Sequence, residues 1–140
     1  MKDILPKDFR PSTGIKAHRL DSSIVWLENG IFFIFSLPNI DHTLEYAKIQ
    51  TNFFLETYVD RASKLPMICD VRNAKPIKKD VRDYYSSPEG SANTDKFAFL
   101  VDSPVSRVIA NFFINIRVMP LQMKMFNSVG DAVDWCKSDS

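Results

Sequence analysis

The sequence predicts an α/β protein with a five-stranded mixed sheet and the element order β-β-α-β-α-β-α-β-α. The pair Asn29-Gly30 separates two short apolar runs, which is the signal of a tight β-hairpin. After the hairpin, short apolar runs alternate with segments whose apolar residues recur every three or four positions. That alternation is typical of a mostly parallel sheet with right-handed helical crossovers. The first strand enters through the hairpin, so it must run antiparallel to the others.

The hairpin and the first helix occupy the N-terminal half of the chain. The two strands are Ile24 to Leu27 and Ile31 to Phe35, and Pro38 closes the second. Asp41 is placed to cap the first helix, which we expect to extend to about residue 63. Its apolar face consists of Leu44, Ala47, Thr51, Phe54, Leu55, Tyr58 and Ala62.

Two further strands and a short helix follow. Met67 to Val71 is a short apolar strand, and the continuously apolar Phe97 to Val101 is typical of a central strand buried on both faces. Between them, Lys78 to Tyr85 is predicted to be helical, and Ser87-Pro88-Glu89-Gly90 ends that helix.

The C-terminal part begins with the sharpest local signal in the chain. Ser103 fits the N-cap of a helix and Pro104 its first position, where the missing N–H costs nothing. Alternation in Leu121 to Phe126 indicates an edge strand, and Ser128 is placed to cap a last helix over 129–137. The helix after Ser103 carries a wide apolar stripe of Val105, Val108, Ile109, Phe112, Phe113 and Ile116.

The chain is organised as an arm and one domain. Residues 1–17 contain Pro6, Pro11 and Gly14 and are expected to have little regular structure. Residues 18–140 are expected to form a single domain, because 140 residues suffice for one hydrophobic core.

Composition and charge narrow the class of protein. The longest strongly apolar run is Ile31 to Phe35, far short of a membrane span, and the start lacks the apolar stretch of a signal peptide. We therefore expect a cytoplasmic protein. A formal net charge of +1 gives no broad field that would attract nucleic acid. Cys69 and Cys136 are expected to be buried, reduced thiols, with a disulfide or a reactive thiol as the alternative.

Several local motifs resemble a known family. The motifs are Val81 to Tyr85, Ser103 to Arg107, Asn111 to Phe113, Lys124 to Phe126 and Ala132 to Trp135. The order of elements resembles the SpoIIAA-like, or STAS, fold of bacterial anti-sigma-factor antagonists and transporter C-terminal domains. The motifs more specifically resemble a small bacterial STAS-like family of unknown function, and the resemblance extends over roughly residues 20–137. It implies a non-enzymatic binding or regulatory module that acts through protein–protein contacts.

One departure from the STAS pattern affects function. Antagonists of the sporulation type carry a phosphorylatable serine at the start of the helix after the third strand. Here the segment from Asp70 to Tyr85 contains no Ser or Thr. The resemblance therefore does not bring the phosphorylation switch with it.

Catalytic and metal motifs are scarce in this sequence. It has two histidines, His18 and His42, and lacks Cys-x-x-Cys and Gly-x-Ser-x-Gly motifs. We expect no metal, no cofactor and no enzymatic activity. The alternative is an enzyme that uses Asp70, Lys78 or Arg107 at the edge of the sheet, but the sequence supplies no general base with an orienting partner.

The carboxyl ends of the parallel strands form the first candidate site, since ligands of open α/β sheets favour that edge. The basic and hydroxyl side chains predicted at this edge could bind an anion, either a small acidic ligand or a partner's phosphate. In the alternative interpretation, Ser103 only caps its helix, Asp70 pairs with a nearby Arg or Lys, and the lysines are solvated. The candidate residues are Asp70, Arg72, Lys75, Lys78, Ser103, Ser106 and Arg107.

Excess apolar residues on the helix after Ser103 form the second candidate, an apolar interface of Phe113, Ile114, Val118 and Met119. It is interpreted as a homodimer seam. The alternatives are burial under the N-terminal arm and a lipid-facing or apolar-ligand surface. Only Arg107 and Arg117 flank it, so the basic rim typical of a membrane-surface helix is thin.

The remaining basic run, Lys75 to Asp83, is diluted by Asp80 and Asp83 and is interpreted as a solvated helix face, so we expect no nucleic-acid partner. Besides the protein-binding module, the sequence leaves open a carrier or sensor of a small apolar or anionic ligand, including one that is peripheral to the membrane. A cavity of roughly hundreds of Å³ beside Phe97 to Val101 would favour the carrier. A packed interior with a self-complementary apolar face would favour the module.

Overall fold

The computed structural model describes residues 4–58, 64–115 and 121–138. The elements in these ranges are β1 (His18–Arg19), β2 (Ser23–Glu28), β3 (Ile31–Ser36), α1 (Leu44–Thr57), β4 (Leu65–Asp70), α2 (Lys79–Ser86), β5 (Thr94–Leu100), α3 (Pro104–Ile114), β6 (Gln122–Phe126) and α4 (Val129–Lys137).

The strands form one mixed sheet in the order β1-β2-β3-β4-β5-β6. The pairs β1–β2 and β2–β3 are antiparallel, and the pairs from β3 to β6 are parallel. The predicted α/β class and the antiparallel first hairpin strand are thereby confirmed. The sequence did not predict β1, because a strand of two residues has no detectable periodicity.

The hairpin turn has the conformation expected of Asn-Gly. Asn29 and Gly30 have φ angles of 53° and 76°, the two positive values of a primed turn. The twist of such a turn matches that of the flanking strands. As a result, Trp26 pairs with Phe33 and Glu28 with Ile31 in register.

Helices cover both faces of the sheet. Helices α1 and α3 pack on one face, because each right-handed crossover returns on the same side. Helix α2 contacts both of them. The opposite face is covered by α4 and by the N-terminal arm, whose Leu5 and Phe9 are buried. The Phe9 ring lies 5.2 Å from that of Trp26, centroid to centroid, so residues 4–17 include part of the core.

The N-caps of α3 and α4 are the residues that the sequence predicted, whereas the N-cap of α1 is not. The Oγ of Ser103 accepts from the backbone N–H of Ser106 and forms a capping box, as its position before Pro104 predicts. Ser128 caps α4 in the expected place. At α1 the cap is Thr43, not Asp41, because the Thr43 hydroxyl accepts from the Tyr46 N–H at 3.1 Å. The sequence predicted that α1 extends to about residue 63, whereas the described helix ends at Thr57 with Tyr58 as its C-cap. Residues 59–63 lie outside the described ranges.

Two strands begin earlier than their apolar runs. β4 starts at Leu65 and β5 at Thr94. Polar residues hide the start of β5, yet Thr94 and Lys96 are buried there. The Lys96 Nζ donates to the main-chain oxygen of Trp135 at 2.9 Å. Its positive charge therefore compensates the partial negative charge of the free carbonyl groups at the C-terminal end of α4.

Both cysteines are free and buried, as expected. Cys69 is in β4 and packs on the side of the sheet covered by α1 and α3, whereas Cys136 is in α4, which covers the opposite side. Among the described residues, no helix is long and apolar enough to cross a lipid bilayer.

Candidate functional site

The parallel sheet brings the loops after β4 and β5 to one edge, because Asp70 pairs with Leu100. At that edge, Arg72 lies between two carboxylates. Its guanidinium donates to Asp70 over 2.9 and 3.0 Å and to Asp8 over two bonds of 2.8 Å. The hydrogen bond from Arg72 lowers the pKa of Asp8. The charge of Arg72 is therefore compensated within the chain.

The other predicted residues of this edge also have local roles. Lys75 lies 3.1 Å from Asp41, and Arg107 donates to Asn127 at 2.9 Å. Ser103 and Ser106 bond each other in the capping box, and Lys78 is exposed at the N-cap position of α2. The parallel strands bring these side chains to one edge, but local pairs, not a shared anion position, account for their contacts.

The apolar residues that α3 exposes differ from those that the sequence predicted for an interface. Phe113 is buried and stacks on Phe99, with ring centroids 5.5 Å apart, and Ile114 packs partly against the same core. Val118 and Met119 lie outside the described residues. The placement of Phe113 on the surface was wrong, because Ile109, Ala110 and Phe113 form the core stripe of α3. The exposed apolar residues of this helix are Val105, Val108 and Phe112.

A cavity of about 90 Å³ lies between the sheet and the layer of α1, α2 and α3. It follows β4, from Val71 and Lys75 at the carboxyl edge of the sheet to Thr94 and Phe97 at the opposite edge. Apolar side chains dominate the lining, including Phe32, Ile34, Phe54, Met67, Phe99 and Phe113.

A chain of hydrogen bonds lies along one wall of this cavity. The Ser23 hydroxyl donates to Oε1 of Gln50 at 2.7 Å, and Nε2 of Gln50 donates to the Tyr85 hydroxyl at 3.3 Å. The Tyr85 hydroxyl lies 2.6 Å from Nε2 of His42. Gln50, Tyr85 and His42 all line the cavity, so an apolar space ends on a polar wall.

Comparison with known proteins places the chain in a family. The model of a domain of unknown function, DUF7793, matches residues 25–139. The chain belongs to this family. No curated protein matches it.

The fold of this DUF7793 chain is SpoIIAA-like. A similar solved structure is an uncharacterized protein from the DUF3478 family with a SpoIIAA-like fold, from Shewanella loihica PV-4. The TM-score is 0.58 at 12% identity, and the alignment covers 88% of this chain and 92% of that one. At this identity the likeness shows the fold alone. The family match begins within β2, so the arm and β1 lie before it.

Desolvation favours the neutral form of three titratable groups in the DUF7793 cavity, those of His42, Cys69 and Tyr85. It lowers the pKa of His42 to about 4, so the imidazole is uncharged at neutral pH. It also raises the pKa of Cys69 to about 12 and that of Tyr85 well above its usual value. The 2.6 Å distance between Nε2 of His42 and the Tyr85 hydroxyl is shorter than is usual for an N–H donor. It therefore favours the tautomer in which Tyr85 donates to Nε2 and Nδ1 carries the ring hydrogen.

Three elements position the polar wall. His42 precedes the cap of α1, Gln50 lies on the inward side of α1, and Tyr85 lies near the end of α2. Sequence reasoning missed this group, since it considered His42 only in the search for catalytic and metal motifs and Tyr85 only as the end of a predicted helix. The available signal was Gln50, a polar residue at the inward position between Ala47 and Phe54.

Proposed function

We propose that this chain is a non-catalytic SpoIIAA-like module that binds a small, mostly apolar molecule in the cavity beside β4, as a carrier or sensor. The observation that carries this proposal is the apolar space bounded by the hydrogen-bonded wall of Gln50, Tyr85 and His42. Concave, mainly apolar sites with a few placed polar groups are typical of small-molecule sites.

Cavity size limits the ligand. A volume of about 90 Å³ does not reach the hundreds of Å³ that the sequence analysis set for a carrier, and it is well below the roughly 300–1,000 Å³ of pockets for drug-sized ligands. The proposal is therefore confined to much smaller molecules. A cavity of about 150 Å³ suffices for benzene. The expected ligand therefore has only a few non-hydrogen atoms within the cavity.

The edge residues support this choice over an anionic ligand. Arg72 is shared between Asp8 and Asp70, and Lys75 lies beside Asp41. An anion at this edge would have to displace carboxylates that already compensate these cations. An apolar ligand in the cavity displaces no ion pair.

Titration with linear alcohols from n-propanol to n-hexanol, followed by NMR amide shifts, tests the proposal. We expect shifts concentrated on residues that line the cavity. The affinity should rise about fourfold for each methylene until the cavity is full, because each buried methylene contributes about 0.8 kcal/mol.

A matched pair of variants on α1 provides the control. Thr51 lines the cavity, so Thr51→Leu should fill part of it and weaken binding by about tenfold or more. Thr57, on the same helix, is exposed and lies outside the cavity lining, so Thr57→Leu should leave binding unchanged. Equal affinities for the two variants, or an absence of shifts with every alcohol, would contradict the proposal.

We propose self-association as a second function, because of the exposed apolar surface of α3. Val105, Val108 and Phe112 are 55%, 52% and 43% exposed. They make up three of the six exposed large hydrophobic residues in the described part of the chain, and their spacing places them on one side of the helix. Such a patch is typical of an interface, and a second copy of this chain is its simplest partner.

Sedimentation at tens of micromolar tests self-association. We expect a dimer for the natural chain and a monomer for Val108→Lys. Ile49→Lys, at a 37% exposed apolar residue of α1, should remain dimeric. A monomeric natural chain would exclude this second function without affecting the cavity proposal.

A further inference from the structure

The inventory of charge around the cavity indicates which ligands suit it. Among the described residues that line it, Lys75 is the one with a charged side chain. Its side chain is 48% exposed and lies 3.1 Å from Asp41. The hydrogen-bonding groups of Gln50, Tyr85 and His42, which also line the cavity, are uncharged.

The polar wall has hydrogen-bonding capacity of both kinds. The Gln50 amide has two hydrogens, and Tyr85 takes one of them. The Tyr85 oxygen has two lone pairs, and the bond from Gln50 uses one while its own proton goes to His42. Within the bonds among the described residues, one donor position on Gln50 and one acceptor position on Tyr85 remain.

Resting on the proposed function, we infer that the cavity selects an uncharged molecule whose polar group both donates and accepts a hydrogen bond, as an alcohol or a primary amide does. Such a group accepts from Gln50 and donates to Tyr85 while its apolar part lies along β4. A carboxylate has only acceptors and an ammonium only donors, so neither matches both positions.

Desolvation supports the same selection. It shifts the pKa of His42 downward and the pKa values of Tyr85 and Cys69 upward, and in each case the neutral form is favoured. Three groups along the cavity therefore report an environment that disfavours charge of either sign. A charged ligand would incur the same penalty unless it brought a counter-ion.

Four probes of the same length separate the contributions: n-butanol, n-butyl chloride, butanoate and n-butylammonium, each titrated at neutral pH by NMR. We expect n-butanol to bind about tenfold more tightly than n-butyl chloride, since it adds hydrogen bonds. Butanoate and n-butylammonium should bind more weakly still. This comparison uses the natural chain and does not depend on any variant.

Adjacent tyrosines provide the matched variants. Tyr85→Phe should weaken n-butanol by about tenfold and leave n-butyl chloride unchanged. Tyr84, whose hydroxyl is not part of the cavity lining, is the control, so Tyr84→Phe should bind both probes as the natural chain does.

The outcomes distinguish this inference from the proposed function. Failure of all four probes to bind would overturn the cavity function itself. Equal binding of n-butanol, n-butyl chloride and butanoate would preserve the cavity function and overturn the selection. Equal loss of n-butanol affinity in Tyr84→Phe and Tyr85→Phe would overturn the assignment of the polar position.

Discussion

The hydroxyl of Tyr85 lies 2.6 Å from Nε2 of His42, and this contact joins the end of α2 to the loop before α1. Protonation of the imidazole would break this bond as it stands, because Nε2 would then carry a hydrogen and could no longer accept the proton of the Tyr85 hydroxyl. The packing of the helix layer over the cavity is thus linked to the charge of one histidine.

Stability should fall as the pH is lowered from about 6.5 to about 4. The pKa of His42 is about 4 in the folded chain and 6.5 when unperturbed, so the unfolded state binds the extra proton in this window. Its contribution is complete above the upper value and is lost progressively toward the lower one, a total of about 3 kcal/mol. Urea unfolding across this range should show the slope.

His42→Gln should reduce that pH dependence, whereas His18→Gln should retain most of it. Both residues are histidines near the sheet, but desolvation of His18 lowers its pKa less. An unchanged pH profile in His42→Gln would show that the ring titrates equally in the folded and unfolded states.

Two adjacent tyrosines should respond differently to loss of the hydroxyl. Tyr85→Phe leaves Gln50 and His42 without their partner and should reduce the free energy of unfolding by about 1–3 kcal/mol. The Tyr84 hydroxyl is buried and has no hydrogen-bond partner among the described residues, so Tyr84→Phe should be neutral or slightly stabilising. Denaturation of both variants at neutral pH checks the ranking, and a larger loss for Tyr84→Phe would contradict it.

Two substitutions at the Arg72 cluster should have very different costs. Asp70 is 1% exposed and Asp8 is 56% exposed, although both bind Arg72. Arg72→Met leaves the Asp70 carboxylate buried and uncompensated, with an expected loss of about 3–5 kcal/mol. Asp8→Asn disturbs only the exposed pair and should cost about 0–1 kcal/mol. Urea unfolding measures both, and similar losses would mean that the arm contact, not the burial of Asp70, determines stability.

The sequence predicted the parts of the fold that local chemistry determines. Asn29-Gly30 specifies its turn and Ser103-Pro104 its helix start, because both depend on neighbouring residues alone. It failed where tertiary contacts select among similar residues. Phe112 and Phe113 are adjacent phenylalanines on one helix, and only packing against Phe99 decides which is buried.

The site was less predictable than the fold for the same reason. Parallel pairing placed Asp70 on the expected edge, but the arm supplied Asp8, 64 residues from Arg72 in sequence, to compensate the cation there. The polar wall joins residues 35 and 43 positions apart in sequence, with spacing that matches no local motif. Such groups become visible only once the helices are packed.

Alanine substitutions at Gly90 and Gly130 should have opposite effects on stability, because an added Cβ would be crowded at Gly90 and not at Gly130. A Cβ on Gly90 would lie 2.0 Å from the main-chain oxygen of Tyr84, so the turn after α2 must shift to accept Gly90→Ala. We expect a loss of more than about 1 kcal/mol and a weakened cavity wall, since Gly90 also lines the cavity. The nearest atom to a Cβ on Gly130 lies 3.8 Å away, and this glycine is helical, so Gly130→Ala should stabilise by about 0.5–1 kcal/mol. Thermal unfolding of the two variants should therefore move in opposite directions, and a stabilised Gly90→Ala would show that the backbone of this turn is not held against Tyr84.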